Sequence, residues 1–154
     1  HPVEATWALL GGGTQAIPAL VAGLACTNDG VVVSASAWGL GWLGPAAREA
    51  APALAAVLSA PAPSAGDEAL RLRALARIDI SLDHLLPAIR QRLDSNRPPL
   101  VYALQEILEE LGPRAGPLVP DILRVLEASG PRRSDLVAVL RRIDPAATEA
   151  AGLK

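Results

Sequence analysis

The stretch that decides the fold is LGPAAREAAPALAAVL, residues 43–58. A Leu-Gly-Pro phrase opens it, and Pro52 stands at the head of a run whose apolar residues recur at helical spacing. A proline in the first turn of a helix does no harm, because that N–H has no intrahelical partner and the fixed φ suits the helix. The glycine before Pro45 can close a preceding helix, and the proline stops it from continuing. Residues 43–58 therefore read as one helix ending, a turn, and a second helix beginning.

The phrase is repeated along the chain. AIPALVAGL (16–24), AAPALAAVL (50–58), LLPAIRQRL (85–93) and LVPDILRVL (118–126) align on Pro18, Pro52, Pro87 and Pro120, spaced by 34, 35 and 33 residues. Seven residues before three of these prolines a second marker ends: LGP at 43–45, IDI at 78–80 and LGP at 111–113, with IDP again at 143–145. A register held over the whole length is the signature of a repeat protein, in which each unit buries its apolar face against its neighbours. Each unit reads as two helices. The first carries apolar residues such as Ile17, Leu20, Val21 and Leu24, or Leu86, Ile89 and Leu93. A link rich in Gly, Pro or polar residues follows (CTNDG, SAPAPSAGD, LDSNRP, EASGPRR), and the second helix runs to the end marker. The spacing predicts helix pairs at 15–25 with 30–43, 47–59 with 67–79, 82–93 with 98–111, and 116–128 with 133–143. Residues 1–10 read as the second helix of a preceding unit, and 146–154 as the start of a further one.

These phrases resemble the HEAT repeat, in particular short bacterial units related to the phycobilisome-lyase type. The resemblance rests on LGPAAREAAPALAAVL (43–58) and ELGPRAGPLVPDILRVL (110–126), and extends over nearly the whole chain. It implies an all-α, right-handed α-solenoid of about four to five stacked antiparallel helix pairs, with a buried proline in each first helix. The expected organisation is one domain, 1–154, with units at 1–14 (partial), 15–45, 46–80, 81–113, 114–145 and 146–154 (partial). Two departures stand out. Val32-Val33 occupies the place where many members carry Val-Arg, and IDI replaces the Gly-Pro marker in the second unit. The family is mainly a binding scaffold, so the resemblance implies fold more strongly than function.

Aligning the second helices by their end markers separates two kinds of column. Leu40 and Leu43, Leu75 and Ile78, Leu108 and Leu111, and Leu140 and Ile143 form the expected core. The other columns read Trp42, Arg77, Glu110, Arg142 and Trp38, Arg73, Glu106, Ala138. These positions lie four apart, hence on one side of each helix. Second helices in such solenoids usually line the concave surface, so a binding face for a protein or peptide is expected at Trp38, Trp42, Arg73, Arg77, Glu106 and Glu110. Trp and Arg are the residue types most enriched at interface hot spots. Packing is the competing reading: Arg73 and Arg77 paired with Glu106 and Glu110, Trp42 under a guanidinium, or both tryptophans covered by residues 1–14. Gly39 and Gly41 beside the tryptophans predict close approach of a neighbouring helix.

Composition agrees with this picture. Half of the residues are apolar, mostly Ala, Leu and Val, which favours helix over sheet. Net charge is −2, yet residues 1–66 contain only Glu4, Asp29, Arg48 and Glu49. Self-association through that charge-poor half is a further expectation. No run of apolar residues is long enough for a membrane span, and HPVEATWALLGGG lacks the basic start of a secretory signal, so a cytoplasmic location is expected. The chain opens at His1 and holds no Met, which leaves a piece of a longer chain, a processed product or a tag remnant as readings.

No enzyme, cofactor or metal site is expected. Cys26 is the sole cysteine, and His84 has no second usable histidine beyond His1. Asp83, with Ser81 as rival, is the expected N-cap at His84, and Glu106, Glu109 and Glu110 form a solvated acidic patch. Gly11-Gly12-Gly13 lacks the Lys-Ser/Thr of a phosphate loop and reads as a helix-ending turn. Arg71, Arg73, Arg77, Arg90, Arg92 and Arg97 cluster, but a pI near 5.7 and interleaved acids argue against a nucleic-acid track. The resemblance also leaves room for an accessory domain of a tetrapyrrole-chromophore lyase or isomerase.

Overall fold

The computed structural model describes residues 8, 11–129 and 133–153. Among these every regular element is helical. The α-helices are α1 (Ile17–Leu24), α2 (Gly30–Leu43), α3 (Ala51–Ser59), α4 (Ala65–Ile78), α5 (Leu85–Arg90), α6 (Pro98–Leu111), α7 (Val119–Ser129), α8 (Ser134–Ile143) and α9 (Pro145–Ala150). Short 3-10 segments at Gly13–Ala16, Gly44–Ala50 and Gly112–Leu118 lead into α1, α3 and α7. A helix falls within each of the eight spans expected from the repeat, and three of the expected pairs pack together: α1 on α2, α3 on α4 and α7 on α8. The helix expected over 1–10 lies outside the described residues apart from Ala8, which is helical.

The chain forms two compact units, His1–Ala88 and Ile89–Lys154. In the first, α1 packs on α2 and α3 on α4, and the two second helices, α2 and α4, make the most extensive contact. Leu20, Leu40, Leu54, Leu72, Leu75 and Ile78 are buried there. Each link caps the helix that follows it. Asp29 accepts from the backbone N–H groups of Val31 and Val32 at 3.0 and 3.1 Å. Ser64 accepts from Asp67 N–H at 3.1 Å while its hydroxyl donates to the Asp67 carboxylate at 2.6 Å. Such caps satisfy first-turn donors that have no partner inside the helix.

In the second unit α8 packs on α6 and α7, and α9 packs on α8. Leu100, Leu104, Leu108, Ile122, Val139 and Leu140 form its core. Asp121 accepts from Arg90 at 2.7 Å and Arg124 at 3.0 Å. Arg133 pairs with Asp135 and also donates to the Leu93 carbonyl at 3.2 Å.

The aligned end markers use two different backbone solutions. Gly44 and Gly112 take φ of 62° and 52°, a region nearly closed to residues with a Cβ, which is why the LGP marker needs glycine. In the ID markers the same position is Asp79 or Asp144, both at negative φ. There the side chain caps the next helix instead. Asp144 accepts from Ala147 N–H at 2.9 Å. Asp79, only 4% exposed, accepts from the N–H groups of His84 and Leu85 at 2.8 Å each and from the Ser81 hydroxyl at 3.0 Å. The left-handed residue is then displaced to Leu82, at φ 65°.

Four expectations are corrected. The N-cap at His84 is neither Asp83 nor Ser81 but Asp79, whose carboxylate reaches forward over the turn. Helix α5 is short, ending at Arg90 where residue 93 was expected, because the chain turns through 91–94. The repeat prolines, Pro18, Pro52, Pro87 and Pro120, are exposed rather than buried. Their contribution is to the backbone of the first turn, where the ring can face solvent. Of the eight core positions aligned above, seven are buried, while Leu43 is half-buried. The local backbone does not explain that difference, since Leu111 precedes Gly112 in the same way.

Candidate functional site

Helix α2, GVVVSASAWGLGWL, contains no charged residue. Val31, Ala35, Trp38 and Trp42 stand at i, i+4, i+7 and i+11, so they share one face. Val31 is 57% and Trp42 55% exposed, while Ala35 and Trp38 are half-buried. Fully burying a large apolar side chain contributes roughly 1.5–3 kcal/mol, so this face forgoes a substantial part of that gain at Trp42.

Beside this face is a depression of about 280 Å³ lined by Trp38, Gly41, Leu70, Arg73, Ala74 and Arg77. Its floor exists because α2 and α4 approach closely. A Cβ on Gly41 would stand 3.0 Å from the Ala74 Cα and 3.1 Å from its Cβ. Three of the expected residues, Trp38, Arg73 and Arg77, are thus brought together, and Trp42 lies one turn further along α2. Arg77 is exposed and Arg73 half-buried.

The second unit gathers the other two. Glu106 and Glu110, both exposed, line an open hollow of about 470 Å³ with Tyr102, Gln105, Glu109 and Arg142. Arg142 Nε donates to the Glu109 carbonyl at 2.8 Å, and Gln105 donates to the Glu109 carboxylate at 2.9 Å. Tyr102 is 66% exposed and was not among the expected residues. The signal was present, because Tyr102, Glu106 and Glu110 follow the i, i+4, i+8 spacing of a single helix face.

The column of Trp42, Arg77, Glu110 and Arg142 is exposed at every position, and the column of Leu40, Leu75, Leu108 and Leu140 is buried at every position. Because more than half of Trp42 faces solvent, Trp42→Ala should cost about 1–2 kcal/mol, less than the roughly 3–5 kcal/mol of a core tryptophan. Urea titrations of the two proteins check this, and a loss of the larger size would place the indole in the core.

Asp67 joins the two second helices of the first unit. Its carboxylate accepts from Ser64 and, at 2.7 Å, from Ser34 on α2. The Ser64 hydroxyl holds the Asp67 carboxyl below its ordinary value, Ser34 adds to this, burial opposes it, and the Arg71 cation contributes further. A carboxyl depressed in the folded state stabilises the fold above its unfolded pKa, about 3.9, and that contribution is lost as pH falls through the lower folded value. The stability gap between wild type and Asp67→Asn should therefore be full at pH 7 and shrink below about pH 4. Urea midpoints at pH 7 and pH 3 check the sign.

Other residues of chemical interest are accounted for structurally. Cys26 is exposed in the turn after α1, its thiol directed at the Ala22 carbonyl at 3.7 Å. His84 is half-buried ahead of α5. Among the described residues no group of three or more His, Cys, Asp or Glu side chains is placed to hold a metal ion. Among them, too, no helix is long and apolar enough to cross a membrane. Of the clustered arginines, Arg71 and Arg92 are 3% and 8% exposed and so are withdrawn from any phosphate track. No protein-family model, no curated protein and no solved structure matches the chain.

Proposed function

We propose that the chain is a non-catalytic scaffold of HEAT-like helix pairs stacked as a solenoid, and that it binds a protein or peptide on its second-helix face. The observation that carries this reading is the uncharged, exposed face of α2, with Trp42 55% exposed and Trp38 beside the arginine-lined depression. An apolar peptide side chain would pack against the indoles, and a neighbouring carboxylate would meet Arg73 or Arg77. In the second unit, Tyr102 with Glu106 and Glu110 suits a basic or amide-bearing segment.

Peptides selected by display against the intact chain provide the test. Their affinities are then compared between wild type and Trp42→Ala, with Trp38→Ala/Trp42→Ala as the stronger variant. Removing a hot-spot tryptophan should weaken binding at least tenfold while Trp42→Ala still unfolds in one cooperative thermal transition. Equal affinities for wild type and both variants would remove the reading. The same uncharged face also favours a second copy of the chain as partner. Light scattering over a concentration series that shows only monomer would eliminate that version.

A further inference from the structure

Elsewhere in the first unit, the link after α1 and the link after α3 border a half-open cavity of about 570 Å³. Its walls include Val21, Leu24, Val33, Val57, Pro61 and Pro63. Arg71, from α4, is the one charged residue in the lining. The size falls within the roughly 300–1,000 Å³ typical of small-molecule sites, and mostly apolar walls with a few polar groups, here Thr27, Asn28 and Arg71, are typical of them too.

Arg71 is 3% exposed, and its Nε has no hydrogen-bond partner among the described residues. A guanidinium carries five donors in a fixed fork, and a buried cation is costly unless acceptors surround it. Asp67, one turn earlier on α4, attracts it electrostatically, but its two carboxylate oxygens already accept from Ser34 and Ser64. The other lining residues carry no charge to offer. The cavity thus presents a buried guanidinium whose Nε is unpaired, beside walls that are mostly apolar.

We infer that this cavity binds a small amphipathic carboxylate, its carboxylate accepting from Arg71 and its apolar body lying against the valine, leucine and proline walls. A carboxylate matches the planar fork of a guanidinium, and the rest of the lining, apart from Thr27 and Asn28, rewards hydrocarbon. This site is independent of the peptide face on α2.

Decanoate, decanol and acetate titrated against the intact chain, followed by calorimetry or by shifts in the NMR spectrum, test the assignment. Decanoate is expected to bind at least tenfold more tightly than decanol, which lacks the charge, and than acetate, which lacks the chain. Arg71→Met keeps an unbranched apolar stem in place and removes the charge, and a thermal melt checks that the variant remains folded. It should reduce decanoate affinity at least tenfold and leave decanol unchanged. Ala56→Trp, at an exposed position in the lining, should obstruct both ligands whatever happens to Arg71. Decanoate bound no better than decanol by wild type would overturn the proposal, as would decanoate binding that survives Arg71→Met, or no binding at all.

Discussion

Asp79→Ala is expected to destabilise the first unit by about 3 kcal/mol, the loss of a buried cap together with the orphaning of at least one buried N–H. The carboxylate of Asp79 accepts two backbone N–H groups at 2.8 Å, and one of the donors, Leu85, is wholly buried. Alanine offers these donors nothing, and the enclosed position admits little water. The Ser81 hydroxyl loses its acceptor in the same step. Asp79→Asn keeps one acceptor oxygen and should lose only part of this stability. Asp83→Ala, at the exposed position that the sequence favoured as the cap, should cost no more than about 0.5 kcal/mol. Thermal melts of the three variants measure the ranking, and a loss at Asp83 as large as at Asp79 would refute the capping assignment.

Gly41→Leu is expected to be at least as damaging, by about 3 kcal/mol or more. Even the first carbon of a side chain here would lie 3.0 Å from the backbone Cα of Ala74, an atom that cannot rotate aside. The α2–α4 contact must then open along its length, and overpacking alone typically costs about 1–3 kcal/mol. Gly41→Ala is a finer probe, because the improved helix propensity, about 1 kcal/mol, opposes the clash. Its net effect should be a loss of about 1 kcal/mol. Adding Ala74→Gly removes the Cβ that stands 3.1 Å away and should recover part of that loss. A double-mutant cycle in urea measures the coupling; additive effects would show that the helices can separate without penalty. The same variants should alter the depression between Trp38 and Arg77, since Gly41 and Ala74 both line it.

The two sets of columns show how much of the candidate face was legible beforehand. Leu40, Leu75, Leu108 and Leu140 could be assigned to the core from register alone, because a 3.6-residue period distinguishes an inward from an outward face. For Trp42 the charged column of Arg77, Glu110 and Arg142 pointed to exposure, but the sequence left packing under a guanidinium or a neighbouring segment as the competing reading, and only the structure places it 55% exposed. Trp38 did not resolve so cleanly: half-buried, it belongs partly to the wall of a depression that exists only once α4 is in place. Arg71 was misleading for the same reason. In the sequence it is one of a cluster of arginines, while in the structure it is buried beside the link after α1, more than 40 residues earlier in the chain, and the link just before its own helix.

What the sequence determined by itself was the helical class, the placement of the helices along the chain and the face that each second helix turns to the core. These follow from local rules: apolar periodicity, proline in a first turn, and glycine where the backbone takes a positive φ. Only the tertiary structure decided which aspartate caps α5, which arginine is buried, where helices touch closely enough to require glycine, and where cavities open. Those depend on distances between residues separated by a turn, a link or a whole repeat, and a period along the chain carries no information about such distances. Asp79 illustrates the division, for the repeat marks its position as a helix end, while the reach of its carboxylate to Leu85 becomes visible only when the turn between them is folded.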